Sequence, residues 1–338
     1  MNNYAFTPPR KRGLVSGGRS RARASGSDLV LDSDLGRAET EGLLRLAARI
    51  RRSPDRFRKA LAGRVLALLF EKTSLRTRVT FEVAMKTLGG ESVFIDCRGE
   101  PLGQREPVSD VARNLERWVD GIAARTFRHS TVEELARWSS VPVINALSDR
   151  AHPCQALADF LTLHDTFGRF QGLKLAFVGD GNNVAHSLLL TGAKLGVEVV
   201  VATPPSYEPE PAIVAAAEKL ARSSGQGIRV LHDPEEAVAG AHAVYTDVWV
   251  SMGSEGEAEI RRKQFRPYQV TAKLFRKARR DAVFMHCLPA HRGEEVEGAV
   301  LDSPRSVAFD QAENRLHAQK ALLHLLLADN NLARRKRA

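Results

Sequence analysis

The run Val65 to Phe70 is short, continuous and apolar, as a strand covered on both faces would be. Past a polar break, Phe81, Ala84, Met85 and Leu88 recur at i, i+3, i+4 and i+7, one face of a helix, and Gly89-Gly90 stops it. Between strand and helix lie Ser74, Arg76, Thr77 and Arg78. Free N–H groups at a helix start, with guanidinium forks beside them, are what a phosphate binds. A solvated turn has the same composition, so the assignment depends on what the rest of the chain brings to the same place.

The hydrophobic pattern alternates in the same way along the whole chain. It predicts helices over Asp34 to Arg51, with Leu43, Leu44, Leu46, Ala47 and Ile50 inward, and after Pro107, with Val108, Val111, Ala112, Leu115, Trp118 and Val119 inward. Strands are predicted at Ser92–Asp96, Gly121–Arg125 and Val141–Ala146, and Ser130 to Glu134 reads as a capping-box helix start. The alternation restarts at Leu173–Val178, continues through a helix ending at Leu195, a strand Val197–Ala202 and a helix ending near Arg222. Further strands are expected at Ile228–Leu231, Ala243–Thr246, Ala282–Cys287 and Val307–Phe309, and a last helix over about Ala312–Asp329. Such a βα order implies an α/β fold of two domains, each a mostly parallel sheet flanked by helices, joined near Ala151 to Gly168. Ligands of such sheets gather at the carboxyl ends of the strands. Ser74 to Thr77, Arg125, Asn182-Asn183, Asp247 and Cys287 all fall there, so the cleft between the units is the expected site.

At 338 residues the chain suits two cores rather than one, and no apolar stretch reaches the length of a membrane span. The net charge of +10 invites a nucleic-acid reading, but its placement argues against one. Residues 1–27 and 330–338 carry ten basic residues and no acid, so residues 28–329 are electrically balanced. The Arg/Ser/Gly-rich start is expected to be a disordered tail. Pro8-Pro9 and Gly17-Gly18 disfavour the amphipathic helix of a transit peptide. Cys97, Cys154 and Cys287 are odd in number and widely spaced, which suits a reducing cytosol without disulfides or structural zinc.

Several short motifs add chemistry. His152 and Gln155 share a face where Pro153 opens a helix, so both can reach one small ligand. Gly179-Asp180-Gly181-Asn182-Asn183 follows a strand but lacks the third glycine of a dinucleotide loop. The next strand ends in Ala202-Thr203 rather than in an acid for a ribose, so no nicotinamide cofactor is expected. The asparagine amides can instead receive a carboxylate. Asp247 begins a Gly/Ser-rich loop, through Gly256, of the kind that closes over a ligand. His286-Cys287-Leu288-Pro289 places a cysteine beside a histidine with no third orienting group in view, so a buried structural thiol is the default. Arg315, in the first turn of the last helix, is unremarkable alone.

Taken in order, Ser74-Leu75-Arg76-Thr77-Arg78, Ala124-Arg125-Thr126, His152-Pro153-Cys154-Gln155, Gly179 to Asn183, Asp247-Val248-Trp249-Val250-Ser251-Met252-Gly253, His286 to Pro289 and Ala312-Glu313-Asn314-Arg315 resemble the ornithine carbamoyltransferases over nearly the whole chain between the two basic tails. The resemblance implies transfer of a carbamoyl group from carbamoyl phosphate to the side-chain amine of L-ornithine, giving L-citrulline and phosphate in arginine metabolism, with neither metal nor cofactor. It implies a carbamoyl-phosphate domain over 28–150, an ornithine domain over 151–312 and a helix over 313–329 packing back on the first. It also implies a cytoplasmic homotrimer or multiple of trimers, acting on small molecules rather than on membrane or nucleic acid. By position, Ser74, Leu75, Arg76, Thr77, Arg125, His152, Gln155, Leu288 and Arg315 would hold carbamoyl phosphate. Asn183, Asp247, Ser251 and Met252 would hold ornithine, and Arg125, His152, Asp247 and Cys287 would carry the chemistry.

Two positions depart from the family pattern. Leu75 stands where a Thr is common, which leaves only its backbone N–H for a ligand. Pro101 stands where many relatives carry Gln or His reaching a neighbour's phosphate, and proline has no donor; Gln104 or Arg105 are the nearby substitutes. The rival readings are a transcarbamoylase for putrescine, an acylated ornithine or aspartate, and a non-catalytic binding protein held to nucleic acid by its tails.

Overall fold

The computed structural model describes residues 28–222, 225–250 and 255–328. Four strands, β1 (Val65–Phe70), β2 (Glu91–Asp96), β3 (Gly121–Arg125) and β4 (Val143–Leu147), form a parallel sheet in the order β2-β1-β3-β4. Five more, β5 (Lys174–Val178), β6 (Glu198–Ala202), β7 (Ile228–Leu231), β8 (Ala243–Thr246) and β9 (Val283–His286), form a second parallel sheet, β7-β6-β5-β8-β9. In the first half the helices are α1 (Arg37–Arg52), α2 (Leu75–Thr87), α3 (Val108–Trp118), α4 (His129–Trp138) and α5 (Pro153–Phe167). The second half has α6 (Asn183–Leu195), α7 (Pro211–Arg222), α8 (Pro234–Val238), α9 (Ala258–Phe265), α10 (Ala272–Phe275), α11 (Gly298–Leu301) and α12 (Ala308–Leu323), which runs into a π-helical turn, His324–Ala328. No helix among the described residues is long and apolar enough to cross a membrane.

β1 is buried from Leu66 to Phe70 because both sheet faces are covered, as its unbroken apolar run requires. α5 leaves the first sheet and ends at Gly168, whose φ of 68° is the left-handed turn that glycine adopts without strain. α12 packs against α1, α2 and α5. One apolar cluster therefore runs from Leu66 and Phe81 through Leu157, Phe160, Ala318 and Leu322 to Leu188 and Phe177 in the second unit. The cleft between the sheets has this core as its floor.

Five local expectations need correction. The first long helix starts at Arg37, not Asp34, because the Asp34 carboxylate turns back to accept the Val30 and Leu31 N–H groups at 2.7 and 2.8 Å. α4 starts at His129, one residue before the expected capping box; the His129 N–H donates to Asp149 Oδ1 at 2.7 Å, a cap supplied across space. Val307–Phe309 is no strand: Val307 is the N-cap of α12, with a single bridge between Ser306 and Phe284. The last helix thus begins four residues earlier than read, and Arg315 lies in its second turn. Trp118, placed on the apolar face of α3, is 70 % exposed at the helix end. The expected tails, and the 251–254 part of the loop after Asp247, lie outside the described residues.

Candidate active site

A cavity of about 440 Å³ opens at the carboxyl ends of both sheets, within the size range of small-molecule sites. Ser74, Leu75, Arg76, Thr77, Arg125, His152, Gln155, Asn183, Asp247, Cys287, Leu288 and Arg315 all line it. Ser251 and Met252 lie outside the described residues.

On the first side, Ser74 is the N-cap of α2, its hydroxyl accepting the Thr77 N–H at 3.2 Å. Arg76 faces the cavity from the first helical turn. Arg78 does not: it donates to Glu82 at 2.9 Å and stacks 3.7 Å from the Phe94 ring centroid, so the pair does not act as one fork. Residues two apart on a helix point in nearly opposite directions. The further guanidiniums come from Arg125 and Arg315 instead. Arg125 ends β3 where its pairing with β4 slips by one residue, an irregularity that re-aims a side chain. Arg315 is buried on α12, donating Nη1 to Gln155 Oε1 at 2.5 Å and Nη2 to Thr77 Oγ1 at 3.1 Å. The Leu75 side chain is 76 % exposed, leaving its backbone at the helix start.

Three guanidiniums around one cavity disturb one another. Burial, then Arg315 and Arg76, push the Arg125 guanidinium down to about 9. Burial first, and Arg76 as a repelling neighbour, also lower Arg315. Burial and all three arginines hold His152 well below the usual imidazole range, so it is neutral near pH 7. Arg125 Nε and His152 Nδ1 are buried and find no hydrogen-bond partner among the described residues. A small dianion answers both the excess charge and the unused donors.

On the opposite side, Asp247 lies just past β8. Its Oδ1 accepts from the Cys287 thiol at 2.9 Å and its own loop's Val248 N–H at 2.8 Å, and its Oδ2 accepts from Asn182 Nδ2 at 2.9 Å. Asp247 is the orienting group for Cys287 that the sequence did not reveal. Burial, then the Asp247 charge, push the Cys287 thiol well above its ordinary range, so it is a hydrogen-bond donor rather than a thiolate. Asn182, the N-cap of α6, accepts the Val184 and Ala185 N–H groups while its amide holds Asp247. Asn183 donates to the Ser148 carbonyl at 2.5 Å. Both amides are thus engaged with protein groups. Gly181 serves close packing: a Cβ there would lie 2.3 Å from the Pro209 nitrogen. Leu288, at φ 57°, gives its N–H to His286 Nδ1 at 2.8 Å, which fixes the His286 proton on Nε2, facing Glu295 Oε1 at 3.3 Å.

Among the described residues, Asp247, His286 and Cys287, and separately His291, Glu294 and Glu295, bring three ligand-type atoms within 4.8 Å of one another. In the first group every such atom already has a hydrogen-bond partner, so a metal would have to displace the contacts that orient Cys287 and Leu288. Lys72 and His291 also line the cavity. Sequence reading missed both, although Lys72 stands within the stretch that it singled out.

Two parallel sheets, a strand-turn-helix anion site on the first and an acid-bearing strand end on the second define a two-domain α/β enzyme that binds a phosphorylated small molecule in its cleft. The family model described as the carbamoyl-P binding domain of aspartate/ornithine carbamoyltransferase matches residues 27–165, and that for the Asp/Orn binding domain matches 171–326. The ornithine carbamoyltransferase of Thermococcus kodakarensis is 52 % identical over 305 residues, which is 90 % of this chain and 97 % of that protein. That of Thermus thermophilus is 54 % identical over 301 residues, 89 % of this chain and 96 % of its own. The solved ornithine carbamoyltransferase of Pyrococcus furiosus superposes with a TM-score of 0.87 at 50 % identity, covering 90 % of this chain and 98 % of that one. The chain belongs to the aspartate/ornithine carbamoyltransferase family.

Proposed function

We propose that the protein is an ornithine carbamoyltransferase, moving the carbamoyl group of carbamoyl phosphate to the side-chain amine of L-ornithine. The observation that carries this reading is the meeting of Arg76, Arg125 and Arg315 across one cavity from the Asp247–Cys287 pair. Arg76, with the N–H groups of Ser74 and Leu75 at the start of α2, holds the phosphate. Arg125, His152 and Thr77 donate to the carbamoyl oxygen as the carbon becomes tetrahedral, and Gln155 and the Leu288 carbonyl hold the carbamoyl amine. Neutral His152 suits this role, because its N–H donates without adding a further positive charge.

Asn183, Asp247, Ser251 and Met252 hold ornithine. Both Asp247 oxygens already accept hydrogen bonds, which suits it to fix the α-ammonium rather than to act as a base. Cys287 orients that carboxylate. The attacking amine must be neutral, and its ordinary pKa is close to that of lysine, about 10.4. The repelling field of the three arginines favours the uncharged form. The new C–N bond forms as the C–O bond to phosphate breaks, and the proton shed by the amine passes to the departing phosphate, whose basicity rises as that bond breaks. The arginines stabilise the charge that collects on the leaving group.

The same reading carries with it a homotrimer or multiple of trimers, at work in the cytoplasm in arginine metabolism. Citrulline formation across a panel of acceptors (ornithine, putrescine, acetylornithine, aspartate) tests the function. Turnover with ornithine alone is expected; turnover with putrescine but not ornithine would overturn the acceptor assignment. Light scattering during size exclusion tests the assembly, with a monomer as the refuting result.

A further inference from the structure

Asp159, on α5, is fully buried and outside the cavity wall. Its Oδ1 accepts from Gln155 Nε2 at 2.7 Å and from Gln311 Nε2 at 2.6 Å, and its Oδ2 accepts from the Tyr245 hydroxyl at 3.2 Å. Because the Gln155 amide nitrogen is committed to this carboxylate, its carbonyl oxygen is turned toward Arg315, which donates to it at 2.5 Å. The reverse orientation would set the NH₂ group against a guanidinium, donor against donor. The carboxylate therefore decides which way Gln155 faces, and Gln155 decides where Arg315 rests.

The contacts reach the second sheet as well. Gln311 Nε2 also donates to the Tyr245 hydroxyl at 3.0 Å, while its Oε1 accepts the His286 backbone N–H at 3.0 Å. Tyr245 precedes Asp247 by two residues on β8, and His286 precedes Cys287 at the end of β9. An apolar residue in place of Asp159 would spare the cost of burying an acid, but would leave two amides and a phenol without their acceptor.

We propose that Asp159 is a positioning residue for carbamoyl phosphate: it sets the Gln155 amide and through it the Arg315 guanidinium, and ties both to the strand ends that carry Asp247 and Cys287. This rests on the carbamoyl-transfer reading above. Arg315 and Gln155 touch the substrate; Asp159 acts only through them.

The test compares wild type with Asp159→Leu and Asp159→Asn. The readouts are KM and kcat for each substrate, inhibition by inorganic phosphate, and circular dichroism to confirm the fold. Asp159→Leu is expected to raise KM for carbamoyl phosphate by about 30-fold and to weaken phosphate inhibition in parallel, with KM for ornithine moving less. Asp159→Asn keeps an oxygen for both glutamines, and its amide faces the Tyr245 hydroxyl, so it is expected to stay within about threefold of wild type. A folded Asp159→Leu with wild-type KM for carbamoyl phosphate overturns the proposal, as does an Asp159→Asn as impaired as Asp159→Leu. If Asp159→Leu does not fold, Tyr245→Phe, which keeps the ring and removes one donor to Asp159, carries the test. A rise in that KM of about threefold is expected, and no change overturns the proposal. Should wild type form no citrulline, the carbamoyl-transfer reading falls, and phosphate affinity by calorimetry on the same variants still decides the role of Asp159.

Discussion

Replacing Arg76 by alanine separates anion binding from folding. Burial holds this guanidinium below its ordinary pKa, with Cys287 and Asp247 pulling the other way. Arg76 in turn depresses Arg125 and Arg315. In the unliganded protein it therefore repels its neighbours, and its loss relieves them. In the liganded protein it contributes charge-assisted hydrogen bonds worth about 1.5–3 kcal/mol each, and a two-pronged contact makes about two of them. The alanine variant should thus lose about 3–6 kcal/mol of transition-state binding, roughly 150- to 25,000-fold in kcat/KM. Citrulline formation under varied carbamoyl phosphate measures that loss. Thermal unfolding with and without inorganic phosphate measures the rest: the unliganded variant should melt at or slightly above wild type, while the stabilisation by phosphate, about 2.7 kcal/mol at a hundred times Kd in wild type, should nearly vanish. A variant that melts several degrees lower yet keeps kcat/KM within about tenfold would refute the reasoning, since Arg76 would then support the fold rather than the anion.

The thiol of Cys287 is kept protonated by burial and by Asp247, so iodoacetamide at pH 8 should alkylate it at least about tenfold more slowly than free cysteine. Cys287→Ser keeps a donor to Asp247 and should retain turnover with a raised KM for ornithine; complete loss of turnover in a folded variant would point to covalent chemistry. Burial lifts the Asp159 carboxyl to about 7, against an ordinary value of about 3.9, so its contribution to stability is full below pH 4 and lost as pH rises through 7. Asp159→Asn does not titrate and should gain on wild type by up to about 1.4 kcal/mol per pH unit between pH 5 and 7 in urea unfolding; a gap independent of pH contradicts this. Gly181→Ala puts a Cβ 2.3 Å from the Pro209 nitrogen and should cost about 1–3 kcal/mol, seen as a lower unfolding midpoint; an unchanged midpoint would show that the 207–209 loop yields freely.

The β1–α2 unit was legible because its information is local: an unbroken apolar run, a serine cap and a helical stripe stand within 24 residues of sequence. Expectations failed where the deciding partner is distant. The N-terminus of α4 is capped by Asp149, 20 positions on, so the local Ser130-to-Glu133 pattern was outcompeted. Val307 to Phe309 has the residue types of a strand, but pairing stops after one bridge, where the Val307 N–H donates to the Phe284 carbonyl at 2.9 Å, and the helix stripe of α12 claims the rest. Arg78 was misjudged for a different reason. Its spacing from Arg76 already placed it on another face, and Phe94, which holds it there, is on β2.

The site was legible in its residue types but not in its wiring. Arg76, Arg125 and Arg315 stand on α2, β3 and α12, and each alone reads as a solvated arginine. What marks them is the character of their partners. Arg315 meets a glutamine and a threonine rather than a carboxylate, and Arg125 keeps a buried Nε without a partner among the described residues. The acid that faces this cluster from behind, Asp159, is held one residue away from the cavity by Gln155, so it orients the cluster without neutralising it. Had a carboxylate stood in place of Gln155, it would have paired with Arg315 and competed directly with a phosphate. An amide locked by a buried acid gives the same geometric control and leaves the positive charge for the ligand. Sequence spacing reveals that α5 carries Gln155 and Asp159 on one face, but not that α12 answers with Gln311 and Arg315 at the same four-residue interval.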